Sequence, residues 1–122
     1  MKISGVIPQL RTMNLESSIQ FYTTQLGLEL AFRYEDFYAG IRAGNQIFHL
    51  KFVCEQDPSI PYARDGDHFT LYLQTDDAAA LAEELKSRGV ILTKDVHETD
   101  WSTKEFIIED DQGHTIYFGE AL

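Results

Sequence analysis

Asn14-Leu15-Glu16-Ser17-Ser18-Ile19-Gln20-Phe21-Tyr22-Thr23-Thr24-Gln25-Leu26-Gly27 carries the punctuation of one complete helix. Asn14 offers a side-chain oxygen as N-cap. Leu15, Ile19, Tyr22 and Leu26 share one helical face. Gly27 supplies the left-handed residue that ends the helix, and the chain runs straight on into Leu28-Glu29-Leu30. A second stretch repeats the pattern 62 positions on: it opens at Asp76, stops at Gly89 and enters Val90-Ile91-Leu92. Asp76 or Asp77 caps it, with Ala78, Leu81, Ala82 and Leu85 facing inward. One supersecondary unit is therefore used twice, and two like units facing each other form a cleft.

Working outward, residues 3–12 alternate as a strand before the first helix. Residues 28–34, 37–42 and 46–54 follow as strands, the last two joined by a tight Gly44-Asn45 turn. This makes a β-α-β-β-β module over about 1–54. Residues 55–66 contain two prolines and a glycine without periodicity, so they read as the connection. A second module spans 67–122: a strand over 67–75, the helix, and strands from Val90, over 103–109 and over 114–119. Asp110-Asp111-Gln112-Gly113 turns between the last two. The expected fold class is α+β, a single domain over 1–122 whose two βαβββ modules form a curved mixed sheet with helices on its outer face.

Composition fits one compact domain: 122 residues, 43% of them hydrophobic. Cys54 is the only cysteine, so no intrachain disulfide forms and a reducing, cytoplasmic setting is expected. Met1-Lys2 leads directly into strand-like sequence, and no apolar run approaches membrane-spanning length, which disfavours secretion and membrane insertion. Twenty acidic residues against ten basic give a net charge of −10. That field repels phosphate backbones, which argues against nucleic acid, and it attracts cationic ligands; it also keeps a domain dispersed.

Strand alternation puts His49 and Lys51 on one face of the fourth strand and His68, Thr70, Tyr72 and Gln74 on one face of the fifth. The opposite faces, Phe48-Leu50-Phe52 and Phe69-Leu71-Leu73, are apolar and belong under the helices. The mixed face should then line the cleft, walled by Trp101 and by Phe37 or Tyr38. Trp101 reads equally as a packing residue, and Tyr72 and Tyr117 equally as dimer-interface residues. Glu105 is a solvated charge or a partner for a cationic ligand. His49 and His68 read as hydrogen-bonded or partly exposed strand residues, and His97 and His114 as surface ones. No nucleophile–base set and no Gly-rich phosphate loop appears.

Pro8-Gln9-Leu10, followed by Asn14-Leu15-Glu16-Ser17-Ser18-Ile19, Phe21-Tyr22 and Leu26-Gly27-Leu28, resembles the first motif of the vicinal-oxygen-chelate superfamily. That superfamily holds glyoxalase I, extradiol dioxygenases and bleomycin-resistance proteins. Glu35-Asp36-Phe37-Tyr38-Ala39-Gly40-Ile41 resembles a hairpin of the bleomycin-resistance branch. Residues 101–118, with Glu105-Phe106 and Tyr117-Phe118, are similar to its closing segment. The resemblance implies that enzymes place metal ligands at four strand positions, which here hold Ile7, His49, Thr70 and Tyr117. Isoleucine has no lone pair to donate, and neutral threonine or tyrosine ligates a divalent ion poorly. The expectation is therefore a small-molecule binder of the bleomycin-resistance type with no cofactor. It would sequester a planar ligand, bleomycin-like or another metabolite, in an aromatic cleft at a dimer interface. Its expected contacts are Phe37, Tyr38, His49, Lys51, His68, Thr70, Tyr72, Trp101, Glu105 and Tyr117. Pro8, by resemblance, accompanies exchange of the first strand in a homodimer. The alternative is a metal-dependent lyase, isomerase or dioxygenase with displaced ligands at His49, His68 and Glu105.

Overall fold

The computed structural model describes residues 1–54, 57–66 and 69–122. Its chain divides into two compact units, Met1–Asp57 and Pro58–Leu122. The first holds β1 (Gln9–Thr12), α1 (Leu15–Gln20) continued by a π-helical turn (Phe21–Gln25), β2 (Glu29–Tyr34), β3 (Tyr38–Ala43) and β4 (Gln46–Phe52). The second holds α2 (Ser59–Gly66), β5 (Thr70–Gln74), α3 (Ala78–Ser87), β6 (Leu92–Glu98), β7 (Thr103–Glu109) and β8 (Thr115–Ala121). Each forms a four-stranded mixed sheet, ordered β1-β4-β3-β2 and β5-β8-β7-β6. In both, the strand before the helix lies parallel to the last strand and the other pairings are antiparallel. The α+β fold with two β-α-β-β-β repeats is the one the helix punctuation implied.

The two helices begin alike and end slightly differently. Asn14 Oδ1 accepts from Ser17 N at 3.0 Å, and Asp77 Oδ1 from Ala80 N at 3.0 Å. The second cap is thus Asp77 rather than Asp76, one residue closer to its stop. At that stop Gly89 (φ 87) is followed by Val90, whose N–H donates to Leu85 O at 3.0 Å, the wrap that a left-handed C′ glycine permits. The first helix has one more residue between cap and glycine. The π turn absorbs it: Leu26 N reaches back five residues to Phe21 O, and Leu28 N six residues to Tyr22 O. The stop at Gly27 (φ 77) is preserved.

The helices cover one face of each sheet, α1 against β3 and β4, α3 against β6, β7 and β8. Leu15, Ile19 and Tyr22 are buried with Leu10, Ile41, Phe48 and Leu50, and Tyr22 meets Phe48 edge-on at 5.1 Å. In the second unit Ala78, Ala82 and Leu85 are buried with Phe106, Ile108, Ile116 and Phe118; Phe106 and Phe118 stack at 4.8 Å. Each such large side chain contributes roughly 1.5–3 kcal/mol by leaving water. Phe52 and Phe69, assigned to this face, lie at its ends and are 42% and 43% exposed.

Two expected elements differ. Residues 3–8 are not strand: β1 starts at Gln9, Pro8 precedes it, and Ile3, Val6 and Ile7 are exposed. Pro8 contributes its carbonyl to His49 N at 2.9 Å, a bond that needs no N–H of its own. Residues 59–66 are not an irregular connection but α2. Its first bond runs from Tyr62 N to Pro58 O, and Pro61 falls in the first turn, where a missing N–H goes unused. Ile60 is fully buried and anchors it. Among the described residues no helix is long and apolar enough to cross a membrane.

Candidate functional site

In the second unit the sheet face away from the helices converges on one buried carboxylate. Glu105, on β7, is only 3% exposed. Its Oε2 accepts from Tyr72 Oη at 2.8 Å, from Thr103 Oγ1 at 2.9 Å and, at 3.5 Å, from Trp101 Nε1. Tyr72 belongs to β5, and β8 lies between it and β7. The side chain crosses at Gly119, where an added Cβ would overlap the phenol oxygen. Beside this lane Tyr72 stacks on Tyr117, centroids 6.2 Å apart. Trp101 stands at the β6–β7 hairpin, 68% exposed, next to Ser102, whose positive φ of 65 tightens the turn.

The electrostatics follow from that geometry. Burial pushes the Glu105 carboxyl up, but the bonds from Tyr72, Thr103 and Trp101, with the nearby His97, outweigh it and hold the group below the ordinary glutamate range. His97 is its cross-strand neighbour on β6. Tyr72 moves the other way: burial, then the hydrogen bond and charge of Glu105, raise its phenol. The pair is thus set as neutral tyrosine and ionised glutamate.

The first unit carries a related arrangement. Gln9 Nε2, on β1, donates to Tyr38 Oη at 2.8 Å, crossing β4 to reach β3. The same hydroxyl lies 2.8 Å from His49 Nδ1. Phe32 stacks on Tyr38 (6.3 Å) and meets His49 edge-on (5.2 Å), in space left by Gly40. The register makes the two bonds equivalent. Gln9 pairs with His49 and Tyr38 with Lys51, as Tyr72 pairs with Tyr117 and Glu105 with Gly119. A first-strand side chain thus bonds a third-strand side chain over the strand between them, once in each unit.

Of the expected residues, Tyr72, Trp101, Glu105 and Tyr117 come together, and so do Tyr38 and His49. Phe37, Lys51 and Thr70 are exposed and join neither hydrogen-bonded set. His68 lies outside the described residues. His114, expected at the surface, is buried beside Asp110, which accepts from its N–H at 2.8 Å. Gln9, Phe32, Thr103 and Gly119 were not anticipated. A glycine inside an apolar strand was the available sign, because it marks close approach by another group.

The four positions at which the resemblance implied metal ligands do not make a ligand set here. Ile7 has no donor atom, and Thr70 and Tyr117 offer only hydroxyl oxygens, which leaves His49. Of the displaced set, His68 lies outside the described residues, and Glu105 Oε2 already accepts from three donors. Among the described residues no three His, Cys, Asp or Glu side chains are grouped to hold an ion.

The family model for the Glyoxalase/Bleomycin resistance protein/Dioxygenase superfamily matches residues 6–118. Among solved structures, the bleomycin-binding protein of bleomycin-producing Streptomyces verticillus, complexed with copper(II)-bleomycin, superposes with a TM-score of 0.77. It is 23% identical, with 100% of this chain and 98% of that one covered. A bleomycin resistance determinant encoded on the transposon Tn5 gives 0.78 at 19% identity, covering 98% of each chain. Lactoylglutathione lyase from Agrobacterium tumefaciens gives 0.69 at 18%, covering 98% of this chain and 95% of that one. No curated protein matches the sequence. At these identities the superpositions establish the fold alone.

Proposed function

The chain belongs to the Glyoxalase/Bleomycin resistance protein/Dioxygenase superfamily, and from that premise we propose that it binds a small planar molecule and sequesters it without metal or chemistry. The observation that carries this reading is the character of the two helix-free sheet faces. Each face holds aromatic rings pinned by hydrogen bonds, Tyr38 with His49 and Tyr72 with Glu105. Trp101 and Tyr72 keep 68% and 45% of their surface exposed, although both are tied to a buried group. Fixed, wettable rings stack on planar ligands, each pair contributing roughly 0.5–1.5 kcal/mol beyond area burial.

Two superposed structures hold bleomycin, one as its copper complex, which makes bleomycin the first ligand to try. A net charge of −10 favours a ligand with a cationic part. The exposed Ile3, Val6 and Ile7 ahead of Pro8 suit a first strand exchanged within a homodimer, with the ligand held at the dimer interface. A single reduced cysteine suits the cytoplasm.

Titration of the purified protein with bleomycin, following the fluorescence of its one tryptophan, tests the assignment. Saturation at micromolar ligand is the expected result. A flat response sinks bleomycin as the ligand, and one metal per chain by elemental analysis sinks the metal-free mode.

A further inference from the structure

We infer that Glu105 is the anchor for a primary or secondary alkylammonium group, with Tyr72, Tyr117 and Trp101 as its aromatic surround. This rests on the small-molecule reading above and names the chemistry that one of its two faces selects.

The geometry points there in three steps. First, Glu105 is a buried carboxylate whose three hydrogen-bond donors, a phenol, a hydroxyl and an indole, are all neutral. Among the described residues no lysine or arginine forms an ion pair with it. His97 lies beside it on the paired strand, but no lysine or arginine neutralises its negative charge, which is costly in a folded core and is offset when a ligand brings the opposite charge. Second, the donors all fall on Oε2. A carboxylate oxygen offers about two lone pairs, so Oε2 is saturated and Oε1 is the oxygen that can receive a ligand. A guanidinium or amidinium fork needs both oxygens in parallel. An ammonium N–H needs one. Third, the side chains gathered on this carboxylate are largely aromatic. Tyr72 and Trp101 both donate to Oε2 of the same carboxylate, and Tyr117 stacks on Tyr72. Ring faces attract a partly desolvated cation, and the alkyl part of an ammonium packs on them.

The anchor is also pre-set rather than induced. Gly119 leaves the lane through which Tyr72 reaches Glu105, and Thr103, two residues earlier on the same strand face, donates to the same carboxylate oxygen. A ligand therefore meets a carboxylate already fixed in position.

Calorimetric titration with three probes of one shape tests this: 2-naphthylmethylammonium, the neutral 2-naphthylmethanol and the forked 2-naphthamidinium. The ammonium should bind about ten- to a hundredfold more tightly than the alcohol, the range of a charge-assisted bond, and more tightly than the amidinium. Glu105→Gln should abolish the preference, with ammonium and alcohol binding the variant alike. Equal binding of ammonium and alcohol to the unaltered protein overturns the anchor, and that ratio decides even if Glu105→Gln fails to fold. Preference for the amidinium overturns the ammonium class. If the probes fail but bleomycin saturates the Trp101 signal, the anchor is wrong and the binder reading stands. If bleomycin fails as well and the alcohol does not bind, both fall.

Discussion

Tyr72 and Glu105 sit on strands that are not neighbours, yet the phenol reaches the carboxylate at 2.8 Å because Gly119 on the strand between them has no side chain. The bond therefore depends on a residue that takes no part in it. Gly119→Ala would push the ring outward into solvent, where Tyr72 is already 45% exposed, so little packing is lost. We expect a loss of about 1.5–3 kcal/mol in urea unfolding, the worth of one hydrogen bond to a charged group. Loss of the Tyr72–Glu105 contact in a crystal of the variant would accompany it.

Removing the donor itself has a readout in pH. Glu105 is held below its ordinary range, so its interactions add stability that is fully present above the unfolded value of about 4.3. That stability is lost as pH falls through the lower, folded value. Tyr72→Phe removes one of the bonds that lower it. The Glu105 carboxyl resonance should titrate at higher pH in the variant, and its acid-limb stability should depend less on pH. Identical titration curves would mean that the phenol does not hold the charge.

The helix caps give a sharper contrast than either helix alone. Asp77→Ala should cost about 1 kcal/mol in thermal unfolding, since it strips the acceptor from Ala80 N. Asp76→Ala, one position away and exposed, should fall within about 0.5 kcal/mol of the parent protein.

The π turn makes a prediction about length. Deleting the exposed Thr24 removes the surplus residue, and the helix can run on in α geometry to the same stop at Gly27. Deleting the exposed Glu83 from the regular α3 instead rotates Leu85 against Ala78 and Ala82 by about a quarter turn and should unfold the second unit. Circular dichroism and urea midpoints separate the two cases. Equal damage from both deletions would show that the wide turn is needed in its own right.

Local signals carried most of the fold. Asn14, Gly27, Asp77 and Gly89 act within a turn of their own position, so spacing reveals them. Residues 3–8 misled because exposed isoleucine and valine alternate as a buried strand does. Helix α2 was hidden by Pro58 and Pro61, which break a helix everywhere except at its start. The candidate site was only half legible. Parity along single strands picked out His49 and Tyr72, and the resemblance of the closing segment pointed to Glu105 and Tyr117. It could not show that Gln9 and Tyr72 reach across a whole strand, because that depends on the parallel pairing of β1 with β4 and β5 with β8. His97 and His114 illustrate the same limit: the first faces Glu105 across a strand pair, and the second is buried.

The central claim, that a planar ligand is held on the helix-free faces, is tested most directly by mapping amide and side-chain resonances during a bleomycin titration. The account predicts saturable shifts at the Trp101 indole, at Tyr72 and Glu105, and at Tyr38 and His49, with the helix residues Glu16 and Glu84 unmoved. No saturable shift, or shifts confined to the outer faces of α1 and α3, would contradict it.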